Sequence, residues 1–201
     1  MSEAKPADRV PRVHAETAEQ WRAWLAENHD VETAAWLVSW KRHTGRPAVG
    51  YEQSVIEALA FGWVDSKGNT LDDDRTMLYF ARRKPRSGWA RTNKRRVAAL
   101  EEAGLMHEAG RRVIEAAKAD GSWTLLDDVE DLIVPPDLTE ALDGVPGARA
   151  HWDAFPPSAR RGILEWIVQA RRPATRAKRI EETARLAGEG VRANQWSPPA
   201  G

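Results

Sequence analysis

Apolar residues in the first half of the chain switch between helical and extended spacing. Thr17-Ala18-Glu19-Gln20 reads as a capping box, and Trp21, Trp24 and Leu25 then fall on one helical face, predicting a helix to about Asn28. From Thr33 the period becomes two: Ala34, Trp36, Val38 and Trp40 alternate with Ala35, Leu37, Ser39 and Lys41, which predicts a strand buried on its Trp face. Gly and Pro in residues 43–50 mark a turn. Tyr51, Val55, Ile56, Ala58 and Leu59 then form a helical stripe that stops at Gly62. Trp63-Val64-Asp65 and residues 76–82 are extended in character, separated by a polar turn with Asn69 and Asp72-Asp73-Asp74; they are expected to pair as a hairpin beside the first strand.

The second half carries helical signals only, over residues 90–103, 108–119, 148–153, 158–171 and 174–187, with Pro173 placed as a first-turn proline. The pattern predicts an α+β fold: a small, mostly antiparallel sheet of about three strands with helices on it, followed by a C-terminal helical bundle. The expected divisions are a mobile N-terminus (1–15), an α+β region (16–123), a helical module (124–188) and a disordered tail (189–201) onto which Trp196 can dock.

Composition narrows the function classes. The chain has 201 residues, enough to bury a core, and no apolar run near the ~20 residues of a membrane helix. Its start lacks the apolar stretch of a secretory signal, so a cytoplasmic location is expected. The absence of Cys excludes disulfides, thiol chemistry and cysteine zinc sites. Thirty basic residues balance thirty acidic ones, which argues against undirected attraction to nucleic acid or anionic lipid. The bias to Arg over Lys is that of a GC-rich bacterial genome. Ten Trp must supply most of the aromatic packing, and each buried indole needs a partner for its N–H.

The neutral total conceals segregation. Residues 82–96 hold eight basic side chains and no acid, residues 120–143 hold eight acids and no Lys or Arg, and a second basic patch contains Arg171, Arg172, Arg176, Lys178 and Arg179. Residues 82–96 interleave guanidiniums with Trp89 and then open a helix that Ser87 can cap, the makings of an anion site. The competing reading is a solvated basic loop whose Trp89 plugs the core while its cations pair with the acidic run. Asp65, on an apolar strand, needs a cationic partner such as Arg82, Lys84 or Arg91 or else a raised pKa, and is the one weak candidate for a catalytic acid or base. Asp72-Asp73-Asp74 lacks the Gly and distal Glu of a calcium loop, the five His are scattered, and no nucleophile elbow, Walker loop or dinucleotide fingerprint is present. No metal or cofactor is expected.

Several runs carry a family likeness. Tyr51-Glu52, Ala58-Leu59, Phe61-Gly62-Trp63-Val64-Asp65, Arg83-Lys84-Pro85-Arg86-Ser87-Gly88-Trp89 and Asn93-Lys94 come first, then Gly104-Leu105-Met106, the run from Ala116 to Trp123, and Val134-Pro135-Pro136-Asp137-Leu138. Pro157-Ser158, Arg161, Leu164, Ile167, Ala170, Arg172-Pro173, Thr175-Arg176 and Arg179-Ile180 complete it. Over about residues 20–188 the chain resembles the bacterial YdeI/OmpD-associated family, also called bacteriocin-protection proteins. It departs from the family pattern at Ala60, where a Cys is usual, and at Trp89-Ala90-Arg91, where Trp-Ser-Lys is usual.

The resemblance implies a protection role and no established reaction. Combined with the residue types, it leads to the expectation of a non-enzymatic, cytoplasmic stress or bacteriocin-protection protein that binds an anionic small molecule or a protein partner. Trp63, Asp65, Arg83, Lys84, Ser87, Trp89, Asn93 and Lys94 are expected to line the site: Arg and Lys hold the anion, Trp89 walls it and Asn93 orients it. The alternatives are a nucleic-acid binder using both basic patches, an enzyme built on Asp65, and a structural module in which the basic loop pairs with residues 120–143.

Overall fold

The computed structural model describes residues 10–195. The chain divides into two compact units, Met1–Ser87 with Thr92–Asp120, and Gly88–Arg91 with Gly121–Gly201.

The first unit is α+β. Its sheet has four strands in the order β1-β2-β4-β3, where β1 is Arg12–His14, β2 Ala34–Trp40, β3 Trp63–Thr70 and β4 Arg75–Arg82. β2 with β4 and β4 with β3 are antiparallel, whereas β1 runs parallel to β2, so the sheet is mixed. β1 falls inside the stretch expected to be mobile, and Ala15 just after it is buried. Three residues are too few to show a period, which is why the pattern missed it.

The expected helix α1 (Ala18–Asn28) starts with the full capping box: the Gln20 N–H donates to Thr17 Oγ1, and the Thr17 N–H donates back to Gln20 Oε1. α2 (Tyr51–Ala60) follows β2 through a turn and ends at Phe61 and Gly62. The hairpin forms as expected, with Asp72 fixing its turn by accepting the N–H groups of Asp74 and Arg75 and the Arg75 Nε at 2.7–3.1 Å. α3 (Arg91–Glu102) and α4 (Glu108–Ala119) come next.

One expectation about β2 is reversed. Trp21 of α1 lies 5.3 Å from Phe80, and Phe80 stands opposite Ala35 in the register, so the helix covers the Ala35–Leu37 face. Ala35, Leu37 and Phe80 are fully buried there, while Trp36 and Trp40 on the other face are only half-buried. Alternation located the two faces, but residue size misassigned them: the small Ala35 lets α1 approach closely, and that approach decides which face is core.

The second unit is helical: α5 (Asp127–Glu130), α6 (Pro136–Asp143), α7 (Ala148–Ala154), α8 (Pro157–Val168) and α9 (Pro173–Gly188). Leu138, Leu142, Trp152, Ile163, Leu164 and Ile167 form its core. Pro136, Pro157 and Pro173 each start a helix, where a missing N–H costs nothing. The sequence reading missed α5 and α6, although Leu138, Ala141 and Leu142 have helical spacing within the acidic run. The segment expected to be a disordered tail is ordered to Gln195, since Ala193 is 1% exposed in the core and Val191 N–H donates to Leu186 O. Trp196 lies outside the described residues.

Two helical glycines predict opposite responses. A Cβ at Gly110 of α4 overlaps the Ala60 carbonyl, which is backbone and cannot yield, whereas a Cβ at Gly162 of α8 meets nothing within 4 Å. Each Gly→Ala change gains ~1 kcal/mol of helix propensity. Gly162→Ala is therefore expected to raise the denaturant midpoint, and Gly110→Ala to lower it through overpacking of ~1–3 kcal/mol. A stabilised Gly110→Ala protein contradicts the packing described.

Candidate functional site

Gly62 sets the local geometry. It takes φ +77° to turn the chain from α2 into β3, and its Cα lies so near Val113 of α4 that an added Cβ would sit 2.8 Å from Val113 Cγ2. Arg83 N–H donates to Gly62 O at 3.0 Å, extending the β3–β4 pairing by one step. α2's end, the start of β3 and the end of β4 thus converge on one side of α4.

At that convergence lies a cavity of about 290 Å³, lined among others by Trp63, Arg82, Arg83, His29, Arg112 and Asp30. Three arginines face one carboxylate. Trp63 is 1% exposed, and its indole N–H is buried with no acceptor among the described residues. A buried donor left without an acceptor costs ~1–3 kcal/mol, so an anion or carbonyl placed there is stabilised. The Trp21 indole donates to Ser54 O and that of Trp40 to Glu16, whereas the Trp152 indole in the helical core is, like that of Trp63, buried without an acceptor among the described residues. Burial lowers the Arg83 guanidinium to about 10, so it remains a cation at neutral pH in a partly desolvated setting. The Arg82 Nε donates to Glu32 O.

The remaining site candidates separate. Trp89 is 1% exposed, packs 4.9 Å from Trp123 in the second unit, and follows Gly88, whose missing side chain makes room for Leu126. It has the core role of the competing reading. Ser87 does not cap α3; its hydroxyl donates to Lys84 O at 2.7 Å within a turn whose second central residue, Arg86, sits at φ 60°. The N–H of Arg91, the first residue of α3, instead donates to both carboxylate oxygens of Glu130 at 2.9 and 3.0 Å. The anion expected at that helix start is therefore a side chain of the protein itself. Lys84 and Arg86 are exposed and make no ion pair among the described residues.

Asp65 is half-buried and accepts the Tyr51 hydroxyl at 2.9 Å, where an Arg or Lys partner was expected. That bond raises the Tyr51 pKa. Asn93 accepts from Arg96 Nη1 at 2.7 Å, and Arg96 in turn pairs with Glu52. Lys94 follows it on α3 and is half-buried. The structure thus gathers Trp63 with Arg83 in the cavity, and links Asp65 and Asn93 to a separate polar network. Arg112 and His29 were missed because they come from α4 and the end of α1, far from Arg83 in sequence.

A larger cavity of about 780 Å³ in the second unit, between α6 and α9, is lined mainly by apolar residues including Ala141, Val145 and Ile180. Its rim charges Asp137 and Arg176 pair with each other at 2.7 Å. Among the described residues no group of three or more His, Asp or Glu is placed to hold a metal ion, and no helix is long and apolar enough to cross a membrane.

Fold and cavity together describe an α+β protein with a pocket lined by Arg82, Arg83, Arg112, Asp30 and Trp63 where β3 begins and β4 ends. Residues 13–113 match the family described as a domain of unknown function (DUF8412); the match takes in half of the chain, and the chain belongs to that family. Residues 131–190 match the family described as Bacteriocin-protection, YdeI or OmpD-Associated, which bears out the resemblance in the helical half. Residues 51–94 and the lining residues of the pocket other than Ala116 lie within the DUF8412 match. Comparison with curated proteins and with solved structures finds no match.

Beside the pocket, His107 caps α4 by accepting the Ala109 N–H at Nδ1, and its ring lies 4.9 Å from His29 and 4.6 Å from Phe61. Burial first, then His29, Arg112 and Arg22, hold its pKa below the ordinary 6.5, while Glu108 opposes them. Above 6.5 both folded and unfolded imidazoles are neutral and the contribution is complete. As pH falls from 6.5 through the lower folded value, the unfolded chain takes the proton first and stability is lost. His107→Asn keeps a capping acceptor without the proton site. Thermal melts between about pH 7.5 and 5 are expected to fall less for this variant than for wild type; parallel curves contradict the assignment.

Proposed function

We propose that this is a non-enzymatic, cytoplasmic protein of stress or bacteriocin-protection type that acts by holding a small anionic ligand in the pocket lined by Trp63, Arg83 and Arg112. The observation that carries the reading is a cavity lined by Trp63, whose indole N–H is buried without an acceptor among the described residues, together with Arg83 and Arg112. Carboxylate or phosphate oxygens suit this donor set: a bidentate guanidinium contact from Arg112 or Arg83 supplies charge, and the indole N–H fixes one oxygen. Asp30 on the cavity wall disfavours ligands that present a second anionic group on its side. The YdeI or OmpD-Associated match of residues 131–190 supports the protection class as the wider role.

The test is thermal unfolding against inorganic phosphate, a nucleotide, a dicarboxylate and a short oligonucleotide. A ligand bound only by the folded state raises the midpoint, by ~2.7 kcal/mol of stability at a hundred times Kd. A rise with phosphate, the nucleotide or the dicarboxylate that Arg112→Gln removes, and that Lys84→Ala with Arg86→Ala leaves intact, is the expected result. A rise lost in the loop variants and kept in Arg112→Gln overturns the pocket and returns the site to residues 84–87. A flat panel favours the structural module.

A further inference from the structure

The half-exposed face of the sheet carries a second constellation, independent of the pocket. In the register Arg12 stands beside Trp36, and Trp36 stands opposite Tyr79. Lys67, from the bulged stretch of β3, lies 5.9 Å from the Trp36 ring and 5.7 Å from the Tyr79 ring. One row across all four strands therefore reads cation, aromatic, aromatic, cation. Four residues further along β2, ~13 Å away, Trp40 forms a second station, with Arg46 4.3 Å above its ring, Arg75 at 5.8 Å and His14 ring-to-ring at 4.8 Å. Buried Val38 and Met77 lie between the two stations.

We infer that this face is a platform for single-stranded nucleic acid: the aromatic rings of Trp36, Tyr79 and Trp40 stack on bases while Arg12, Lys67 and Arg46 meet the phosphates. Three observations favour this occupant. Trp36, Tyr79 and Trp40 remain half-exposed, whereas Ala35, Leu37 and Phe80 on the opposite face are buried, so the accessible large aromatics of β2 and β4 lie on this face. Each station carries cations over or beside its rings, which complements a polyanion and does nothing for a neutral sugar or an apolar helix. Of the carboxylates at the Trp40 end, Glu16 is engaged by the Trp40 indole, Asp72 by Arg75 and Asp74 by His43, with Asp73 exposed in the turn, while the charged members of the Trp36 row are Arg12 and Lys67. Stacking on rings set into a flat sheet needs unpaired bases, so a duplex, whose bases stack on one another, does not fit.

The zero net charge of the chain limits undirected attraction and leaves binding to this local arrangement. Lys67 is exposed and flexible enough to leave the rings for a phosphate when a base takes its place.

Fluorescence anisotropy of the full chain with a labelled 12-nucleotide single-stranded RNA, a duplex of the same sequence, and maltohexaose as competitor tests the inference. The expected result is binding to the single strand that weakens as salt is raised from ~50 to ~200 mM, with at least tenfold weaker affinity for the duplex and no competition by the sugar. Tyr79→Leu is expected to lose about tenfold in affinity, and Lys67→Glu to lose affinity together with part of the salt dependence. Both changes are at partly or fully exposed positions, and a melting midpoint near that of wild type verifies their fold. Arg112→Gln is expected to leave the affinity unchanged, which separates this face from the pocket. No binding at ~50 mM salt, equal binding to the duplex, competition by the sugar, or affinity indifferent to Tyr79→Leu each overturns it.

Discussion

Helix α4 can lie against the end of α2 and the start of β3 only because two residues there lack a side chain. Gly110 leaves room for the Ala60 carbonyl, and Gly62 leaves room for Val113 while turning the chain at a positive φ. His107 N–H also donates to Ala60 O, fixing the helix entry at the same place. This close approach brings Arg112 of α4 to the cavity that Arg83 of the β4 exit and Trp63 of β3 also line. The pocket is a consequence of backbone proximity, and its charge follows from which side chains those three segments carry.

Charge segregation along the sequence resolves largely through local pairing. Glu130 and Asp131 of the acidic run take Arg91, Asp137 takes Arg176, and Asp143 takes Arg149. The basic loop is thereby split: its end at Arg91 is neutralised, Trp89 is packed against Trp123, and Lys84 and Arg86 stay at the surface. Arg86 holds a left-handed conformation at a position where Gly or Asn is usual, a strain of ~1–2 kcal/mol that the surrounding turn sustains.

Periodicity and caps were enough to place α1, α2, the hairpin, α4, α8 and α9, because each has a long apolar stripe or a specific boundary residue such as Thr17 or Pro173. β1 was too short to show its period, and α6 was hidden by the acids around Leu138 and Leu142. The exposed side of β2 was misread because burial depends on what packs against Ala35, which alternation alone does not contain. At the site, Trp63 and Arg83 were legible as an anchor and a cation, whereas Arg112 and His29 join them only through tertiary contact. The Ser87 cap and the Asp65 cation partner failed for the same reason: Glu130 and Tyr51, distant in sequence, reach those groups first.

The most direct measurement is the indole resonance of Trp63 in protein carrying nitrogen-15 tryptophan, assigned by its loss in Trp63→Phe, followed through titrations with phosphate and with carboxylates. The account predicts a saturable downfield movement of that N–H as it gains an acceptor, absent in Arg112→Gln. A Trp63 resonance that stays fixed while ligand binding is registered elsewhere in the protein contradicts it.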